Sequence, residues 1–209
     1  MATDRNERAG LGREVVDGAV HEDHLAVIHD DGTVVELATK LATKRAARPD
    51  LEIVHDRRLA GSAILVGSSG GHLAQLLSVA DLWAPDQRSF VTFDTIDATS
   101  LLAGEKVTWA HHPTTRNLRN LLRNTVLAFR EVRRQRPDVV VSTGAAVAFP
   151  FFIAARLRGI PTVYLEVYDR IDSPTLTGRL CRPLATLFCV QWAEQLEFYR
   201  GSELVGSLM

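Results

Sequence analysis

The chain has 209 residues, 46% of them hydrophobic and 23% charged, with a formal net charge of −1; this is enough for one sizeable core plus an appendage and predicts an α/β domain. Near-neutrality removes any whole-molecule electrostatic case for a nucleic-acid partner. Cys181 and Cys189 are the two cysteines and lack Cys-x-x-Cys spacing, so they offer neither a disulfide framework nor a zinc site and are expected as buried thiols in a reducing compartment, with no metal and no cofactor.

In chain order, residues 1 to about 20 are polar, carry no apolar core for a signal peptide, and predict no regular element. Leu25-Ala-Val-Ile28 and Thr33-Val-Val-Glu-Leu37 flank Asp31-Gly32 and predict a β-hairpin. His21, His24 and His29 lie beside it, but no further ligand converges on them, which favours solvated histidines over a metal centre. Residues 38–61, rich in Lys, Arg and Ala with Pro49, predict a short helix or linker, so that 1–61 forms an appended unit.

From Ser62 onward short β-branched runs alternate with helical patterns. Strands are expected at 62–67, 88–94, 105–109, 138–143, 161–166 and 186–191, and helices at about 72–83, 117–135, 147–158 and 175–183. Val139-Val-Val141 and Thr162-Val-Tyr-Leu165 are near-continuously apolar, which implies burial on both faces and hence a parallel sheet flanked by helices. The fold class is therefore α/β, a Rossmann-like doubly wound parallel sheet over 62–209. The longest apolar run, Ala145 to Ala155, is too short to span a bilayer, so a cytoplasmic protein, at most peripheral to a membrane, is expected.

In such sheets ligands sit beyond the carboxyl ends of the strands, which brings three loops together: Gly67–His72, Ser142–Ala145 and Glu166–Arg170. The first is the most informative. Ile64-Leu-Val-Gly67-Ser68-Ser69-Gly70-Gly71-His72 runs from strand through glycine loop into helix, and the free N–H groups at the helix start favour an anion such as phosphate. No Gly-Lys-Ser/Thr follows, and Ser69 stands where the dinucleotide fingerprint has its second glycine, so neither of those motifs applies; a tight turn without ligand is the alternative.

His72, in the first turn of the helix, is expected to stay neutral and able to accept a proton from an attacking sugar hydroxyl, or else to be a loop-bonded structural histidine. Glu166 at a strand end can orient a hydroxyl or histidine, or cap a helix. On the helix beginning near 117, Arg116, Arg119, Arg123, Arg130 and Arg134 share one arc, opposite Leu118, Leu121, Leu122, Phe129 and Val132. The apolar face is expected on the sheet and the arginines outside, either merely solvated or in contact with anionic lipid headgroups or a lipid-linked pyrophosphate.

Gly67-Ser-Ser-Gly-Gly-His72, Arg136-Pro-Asp-Val-Val-Val-Ser-Thr-Gly144 and Gly159-Ile-Pro-Thr-Val-Tyr-Leu-Glu166 are similar, in order and spacing, to the amino-terminal domain of MurG-type GT-B glycosyltransferases. Leu176-Thr-Gly178-Arg-Leu-Cys-Arg-Pro-Leu-Ala-Thr-Leu-Phe-Cys-Val-Gln191-Trp192 resembles the carboxyl-terminal stretch of the Alg-fourteen and PssD-like family. The resemblance covers about 62–209. It implies a single GT-B half-domain: the acceptor- and membrane-facing subunit of a hexosyltransferase working in lipid-linked oligosaccharide or exopolysaccharide synthesis, with a partner subunit binding most of the UDP-sugar. Together with the residue chemistry above, the expected sites are Gly67, Ser68, Ser69, Gly70, Gly71, Thr143 and Gly144 for the lipid-linked acceptor, His72 and Glu166 for catalysis, and Arg116, Arg119 and Arg123 for the membrane.

The residues after Trp192 are too few for a second Rossmann domain, in line with a divided enzyme. Eukaryotic members carry an amino-terminal transmembrane helix that is not read here. Gln191, Trp192, Phe198, Tyr199, Leu204, Val205, Leu208 and Met209 are expected to dock the partner from an apolar tail with no place in the core. A non-catalytic scaffold that recruits the catalytic subunit is the alternative function. A stand-alone nucleotide-binding enzyme rests only on Asp94 as a ribose ligand.

Overall fold

A computed structural model describes residues 53–54, 58–114 and 116–208. The expected hairpin at 25–37, its neighbouring histidines and most of the 38–61 linker lie outside the described residues. A short antiparallel pair, β1 (Ile53–Val54) and β2 (Arg58–Leu59), precedes the main sheet.

Seven parallel strands then follow: β3 (Ala63–Val66), β4 (Arg88–Phe93), β5 (Val107–Ala110), β6 (Val139–Ser142), β7 (Thr162–Leu165), β8 (Leu187–Val190) and β9 (Glu203–Leu204). Their spatial order is β5-β4-β3-β6-β7-β8-β9, with every neighbouring pair parallel. The order runs outward in both directions from β3, so the chain reverses its winding between β3 and β6, which is where a Rossmann-like sheet opens its ligand crevice.

The helices are α1 (Gly71–Ala80), α2 (Ile96–Leu101), α3 (Leu118–Gln135), α4 (Ala148–Arg156), α5 (Leu176–Cys181), followed by a 3-10 turn at Arg182–Leu184, and α6 (Gln195–Phe198). The doubly wound expectation holds, because successive strand residues feed two separate cores. Ala63 and Leu65 join Leu73, Leu76 and Val79 of α1 and Ala98 of α2. Ile64 and Val66 join Leu127, Ala128 and Val132 of α3 and Phe151 and Phe152 of α4. Strands buried on both faces are near-continuously apolar, and β3, β6, β7 and β8 are buried throughout, with Ser142 and Thr162 the polar exceptions at strand ends.

Two expectations are corrected. Leu118, Leu122 and Val126 of α3 are 80%, 67% and 64% exposed, whereas Asn120, Asn124, Leu127, Ala128, Glu131 and Val132 are buried. The helix is thus rotated from the setting that its leucines suggest. The cause is the loop after β5. Asn124 donates to the His111 carbonyl and accepts from the His111 N–H, both at 2.8 Å, and Asn120 donates to the Pro113 carbonyl at 2.9 Å. Backbone groups drawn out of water need partners, and these two buried asparagines supply them to the half-buried loop.

The second correction concerns the tail. Val205 and Leu208 are 1% and 7% exposed, Leu204 is partly buried, and Gln191 is 2% exposed. Gln191 bonds the Glu166 carbonyl through Nε2 and receives the Leu208 N–H at Oε1. On the first face of the sheet, Val205 and Leu208 belong to the core that also holds Leu165, Leu187 and Cys189. The tail fills its own core, and neither Gln191 nor Leu208 is available to a partner.

Candidate functional site

The loops after β3 and β6 flank the switch point of the sheet. Gly67 is forced by space, since a Cβ there would lie 2.8 Å from Leu76 Cδ1 and 3.2 Å from Thr143 Oγ1. Gly70 is forced by conformation, with φ at 72°. Gly71 is under neither constraint: its φ is ordinary, and a Cβ would meet nothing within 4 Å. Its bareness leaves room above the first turn of α1, where backbone N–H groups lack helical partners. Ser68 and Ser69 are half-buried in the same loop, and Gly70 and Gly71 are exposed. The Gly70 N–H donates to the Asp97 carboxylate at 3.0 Å, so an anionic group already occupies one donor of the loop.

His72 bridges the two loops. Its Nδ1 lies 2.8 Å from the Thr143 carbonyl oxygen, and the Thr143 hydroxyl donates to the His72 carbonyl at 2.8 Å. A carbonyl only accepts, so Nδ1 carries the proton and Nε2 keeps its lone pair. Burial lowers the His72 pKa from 6.5, against the opposing effects of the Thr143 bond and of Asp169. A half-buried, neutral imidazole with a fixed tautomer and a free Nε2 beside an anion-accepting loop can take a proton from a hydroxyl.

Gly144 closes the site from below. Its φ is 116°, and a Cβ would lie 2.9 Å from the Tyr164 hydroxyl and 3.0 Å from His72 Cε1. Ala145 follows at φ 65°, a left-handed setting that a non-glycine residue adopts at a cost of about 1 kcal/mol or more. The Tyr164 hydroxyl is fully buried and has no hydrogen-bond partner among the described residues.

Glu166 stands apart from this group. It is fully buried and accepts from the Thr175 hydroxyl at 3.0 and 3.2 Å and from the Val167 N–H at 3.1 Å. Thr175 in turn caps α5 by accepting from the Gly178 N–H, and its own N–H donates to the Tyr199 hydroxyl. Burial raises the Glu166 pKa, opposed first by the bond from Tyr199. With this shell, Glu166 anchors the α5 N-terminus, and the expectation that it reaches into the crevice is corrected. Of the two expected catalytic groups, the structure leaves His72 alone at the switch point.

Arg116, Arg119, Arg123, Arg130 and Arg134 are exposed, as their arc implies. Sequence reasoning missed what lies beside them. The rotation of α3 leaves Leu118, Leu122 and Val126 exposed along the same side, forming one surface of arginines and apolar residues. Following β7 and β8 in the chain, Tyr168, Ile171, Leu176 and Leu180, which sequence reasoning also missed, and Phe198, which it expected, are 37–74% exposed apolar residues. Leu176 and Leu180 stand one turn apart on α5, a spacing that is legible as a pair. Trp192 is half-buried, donates to the Tyr168 carbonyl at 2.8 Å and packs on its ring. No helix among the described residues is long and apolar enough to cross a membrane.

Comparison with known proteins agrees with this architecture. Over 133 residues, 64% of the chain, it is 34% identical to the UDP-N-acetylglucosamine--N-acetylmuramyl-(pentapeptide) pyrophosphoryl-undecaprenol N-acetylglucosamine transferase of Roseiflexus sp. (strain RS-1), of which the match covers 27%. Over 178 residues it is 24% identical to the UDP-N-acetylglucosamine transferase subunit ALG14 of Mus musculus, covering 70% of this chain and 82% of that one. The chain thus spans about a quarter of the bacterial transferase and most of the mouse subunit. Among solved structures, MurG of Acinetobacter baumannii superposes with a TM-score of 0.56 at 21% identity, over 68% of this chain and 45% of that one, and so shares the fold. The family described as "Oligosaccharide biosynthesis protein Alg14 like" matches residues 62–208, the whole parallel sheet with both crevice loops, and the chain belongs to that family.

Proposed function

We propose that this chain is the acceptor- and membrane-facing half of a two-component, UDP-sugar-dependent glycosyltransferase acting on a lipid-linked acceptor in oligosaccharide or exopolysaccharide synthesis. Residues 62–209 form the GT-B half-domain and 1–61 an appendage. The observation that carries the reading is His72 at the switch point, its tautomer set by the Thr143 carbonyl and its Nε2 free beside the glycine loop. The acceptor's pyrophosphate oxygens bind the N–H groups of Gly71 and the first turn of α1, with Ser68 and Ser69 lining the approach and the buried Thr143 and Gly144 supporting His72 behind it. His72 Nε2 takes the proton from the acceptor hydroxyl as that oxygen attacks the anomeric carbon of the sugar, whose bond to the nucleotide diphosphate breaks. The nucleotide itself sits mainly on the partner subunit.

Two surfaces complete the proposal. The arginines and leucines of α3 rest on anionic lipid at the inner face of the cell membrane, with charges meeting headgroups and Leu118, Leu122 and Val126 entering the acyl boundary. The partner covers Tyr168, Ile171, Leu176, Leu180 and Phe198, with Trp192 behind them, since an apolar patch beside the crevice is where a second domain has to close over a shared substrate.

A second reading, a scaffold that only recruits the catalytic subunit, is favoured by the Asp97 carboxylate on the Gly70 N–H, which satisfies a loop donor without any ligand. Replacing His72 with Gln in the reconstituted pair separates the two. Loss of turnover with an intact complex supports catalysis, and full turnover supports the scaffold.

A further inference from the structure

The surface of α3 is charged in one sense only. Arg116, Arg119, Arg123, Arg130, Arg133, Arg134 and Arg136 are all exposed, and the one acid in this stretch, Glu131, is 3% exposed and bonded to Arg130, Arg134 and Gln135. Among the described residues, no ion pair engages Arg116, Arg119, Arg123 or Arg133. At its carboxyl end this face opens into a groove of about 630 Å³ between Phe129, Arg130, Arg133, Arg134 and Arg158.

The same chain contains the opposite charge in one block. Between Arg13 and Lys40 there is no lysine or arginine, but there are seven acids: Glu14, Asp17, Glu22, Asp23, Asp30, Asp31 and Glu36, beside His21, His24 and His29. They are interleaved with apolar residues such as Leu25, Val27 and Val35. The point of entry into the domain lies at the right place. The Ser62 N–H donates to the Asp138 carboxylate at 2.8 Å and the Asp138 N–H to the Ser62 carbonyl at 2.9 Å, and Asp138 stands two residues beyond Arg136, the C-cap of α3. From Glu36 to Ile53 an extended chain reaches about 50 Å or more, beyond the roughly 40 Å breadth of a domain of this size.

We propose that residues 14–36 are an intramolecular ligand of α3, lying along its arginine and leucine face and occupying the surface that anionic lipid would otherwise take. The complementarity is seven carboxylates against seven arginines, one of which Glu131 already neutralises. Tethering makes the pairing intramolecular, at an effective concentration that free anions in solution seldom reach. A membrane dense in anionic headgroups can displace the segment, so that the helix is shielded away from the membrane and released on it. The docking stands on charge and connectivity alone; the shielding rests on the membrane reading above.

Paramagnetic broadening in the full chain tests the docking. Thr33→Cys supplies a thiol for a nitroxide with which the buried Cys181 and Cys189 do not compete. The amides of Leu118–Gln135 should broaden far more than those of α1, which packs on the other side of the sheet. The broadening should disappear at about 1 M salt, where the screening length is near 3 Å, and in the variant Glu22→Gln, Asp23→Asn, Asp30→Asn, Asp31→Asn. No selective broadening of α3, or broadening that survives the four neutralisations, overturns the docking. Binding to phosphatidylglycerol vesicles tests the shielding, and the neutralised chain should bind about tenfold more tightly than the original. Equal, measurable binding by the two chains overturns the shielding. No vesicle binding by either, with the broadening intact, leaves the docking in place and removes the membrane reading of α3.

Discussion

The half-buried His72 and the fully buried Glu166 have opposite fates because of their hydrogen-bond partners. Among the described residues His72 has a backbone carbonyl on Nδ1 and no partner on Nε2, whereas Glu166 has both oxygens occupied by the Thr175 hydroxyl of the α5 cap. For His72 the folded pKa lies below the ordinary 6.5. The unfolded chain therefore binds the proton first, and the contribution of this residue to stability is present above pH 6.5 and lost as pH falls below it. Activity of the assembled pair should show its acid limb below pH 6.5. His72→Gln should remove that limb and lower turnover by about 10²- to 10⁴-fold, while the pair still co-purifies. Glu166 is shifted the other way, above its ordinary 4.5. Its folded state favours the protonated form, so its contribution is present below pH 4.5 and fades as pH rises through the folded value. Glu166→Gln fixes the neutral form and should leave the melting temperature at pH 7 equal or higher, with turnover retained. Gly178→Ala should do the reverse. A Cβ there collides with Glu166 Oε2 and the Tyr199 hydroxyl, and a loss of about 1–3 kcal/mol is expected for overpacking of this kind. Turnover abolished by Glu166→Gln in a stable protein would return that carboxylate to the chemistry.

The helix α3 shows how an element can be found in a sequence and yet be set wrongly. Its existence and length were legible, 117–135 against Leu118–Gln135, because the periodic pattern runs for five turns and Asn117 caps it. The face turned to the sheet was not legible. Hydropathy favours burying Leu118 and Leu122, but the loop after β5 needs donors and acceptors that only Asn120 and Asn124 supply, and this need arises from tertiary contact. Asn124→Leu should therefore destabilise despite adding apolar surface, because it leaves the His111 N–H and C=O unpaired; about 1–3 kcal/mol is expected, read from denaturant unfolding. Short elements were missed for a simpler reason. Helices α2 and α6, of six and four residues, carry too few turns for any period to show. The exposed face makes its own prediction. Arg116, Arg119 and Arg123 changed together to Glu should weaken sedimentation with anionic vesicles by more than about 100-fold, at roughly 1 kcal/mol per basic residue near the surface, with the circular dichroism unchanged. Unaltered sedimentation at low salt would mark these arginines as merely solvated.

The whole molecule was legible where the chain is uniformly apolar and illegible where it closes on itself. β3, β6, β7 and β8 sit within a residue or so of their expected spans, and the glycine loop falls at the switch point because strand order places it there. The last strand has only two residues and no hydropathic signature, so the tail after Trp192 looked like a free apolar extension. The sheet explains why it is not. On the face that carries α1 and α2, the core over Leu165, Leu187 and Cys189 includes Val205 and Leu208, while β9 pairs with β8 through Cys189–Glu203 and Val190–Leu204. Removing 203–209 exposes that part of the sheet and leaves the Gln191 amide oxygen without the Leu208 N–H. Two buried aliphatic side chains are worth about 3–6 kcal/mol together, a large share of the roughly 5–15 kcal/mol that holds a domain folded. At about 2–4 °C per kcal/mol for a domain of this size, the truncated chain should melt some 10 °C or more below the full chain in a calorimetric scan. It should also expose Cys189 to thiol reagents, which the full chain keeps buried. A melting temperature within a degree or two of the original, with Cys189 still protected, would mean that the tail is dispensable to the core and free to serve a partner instead.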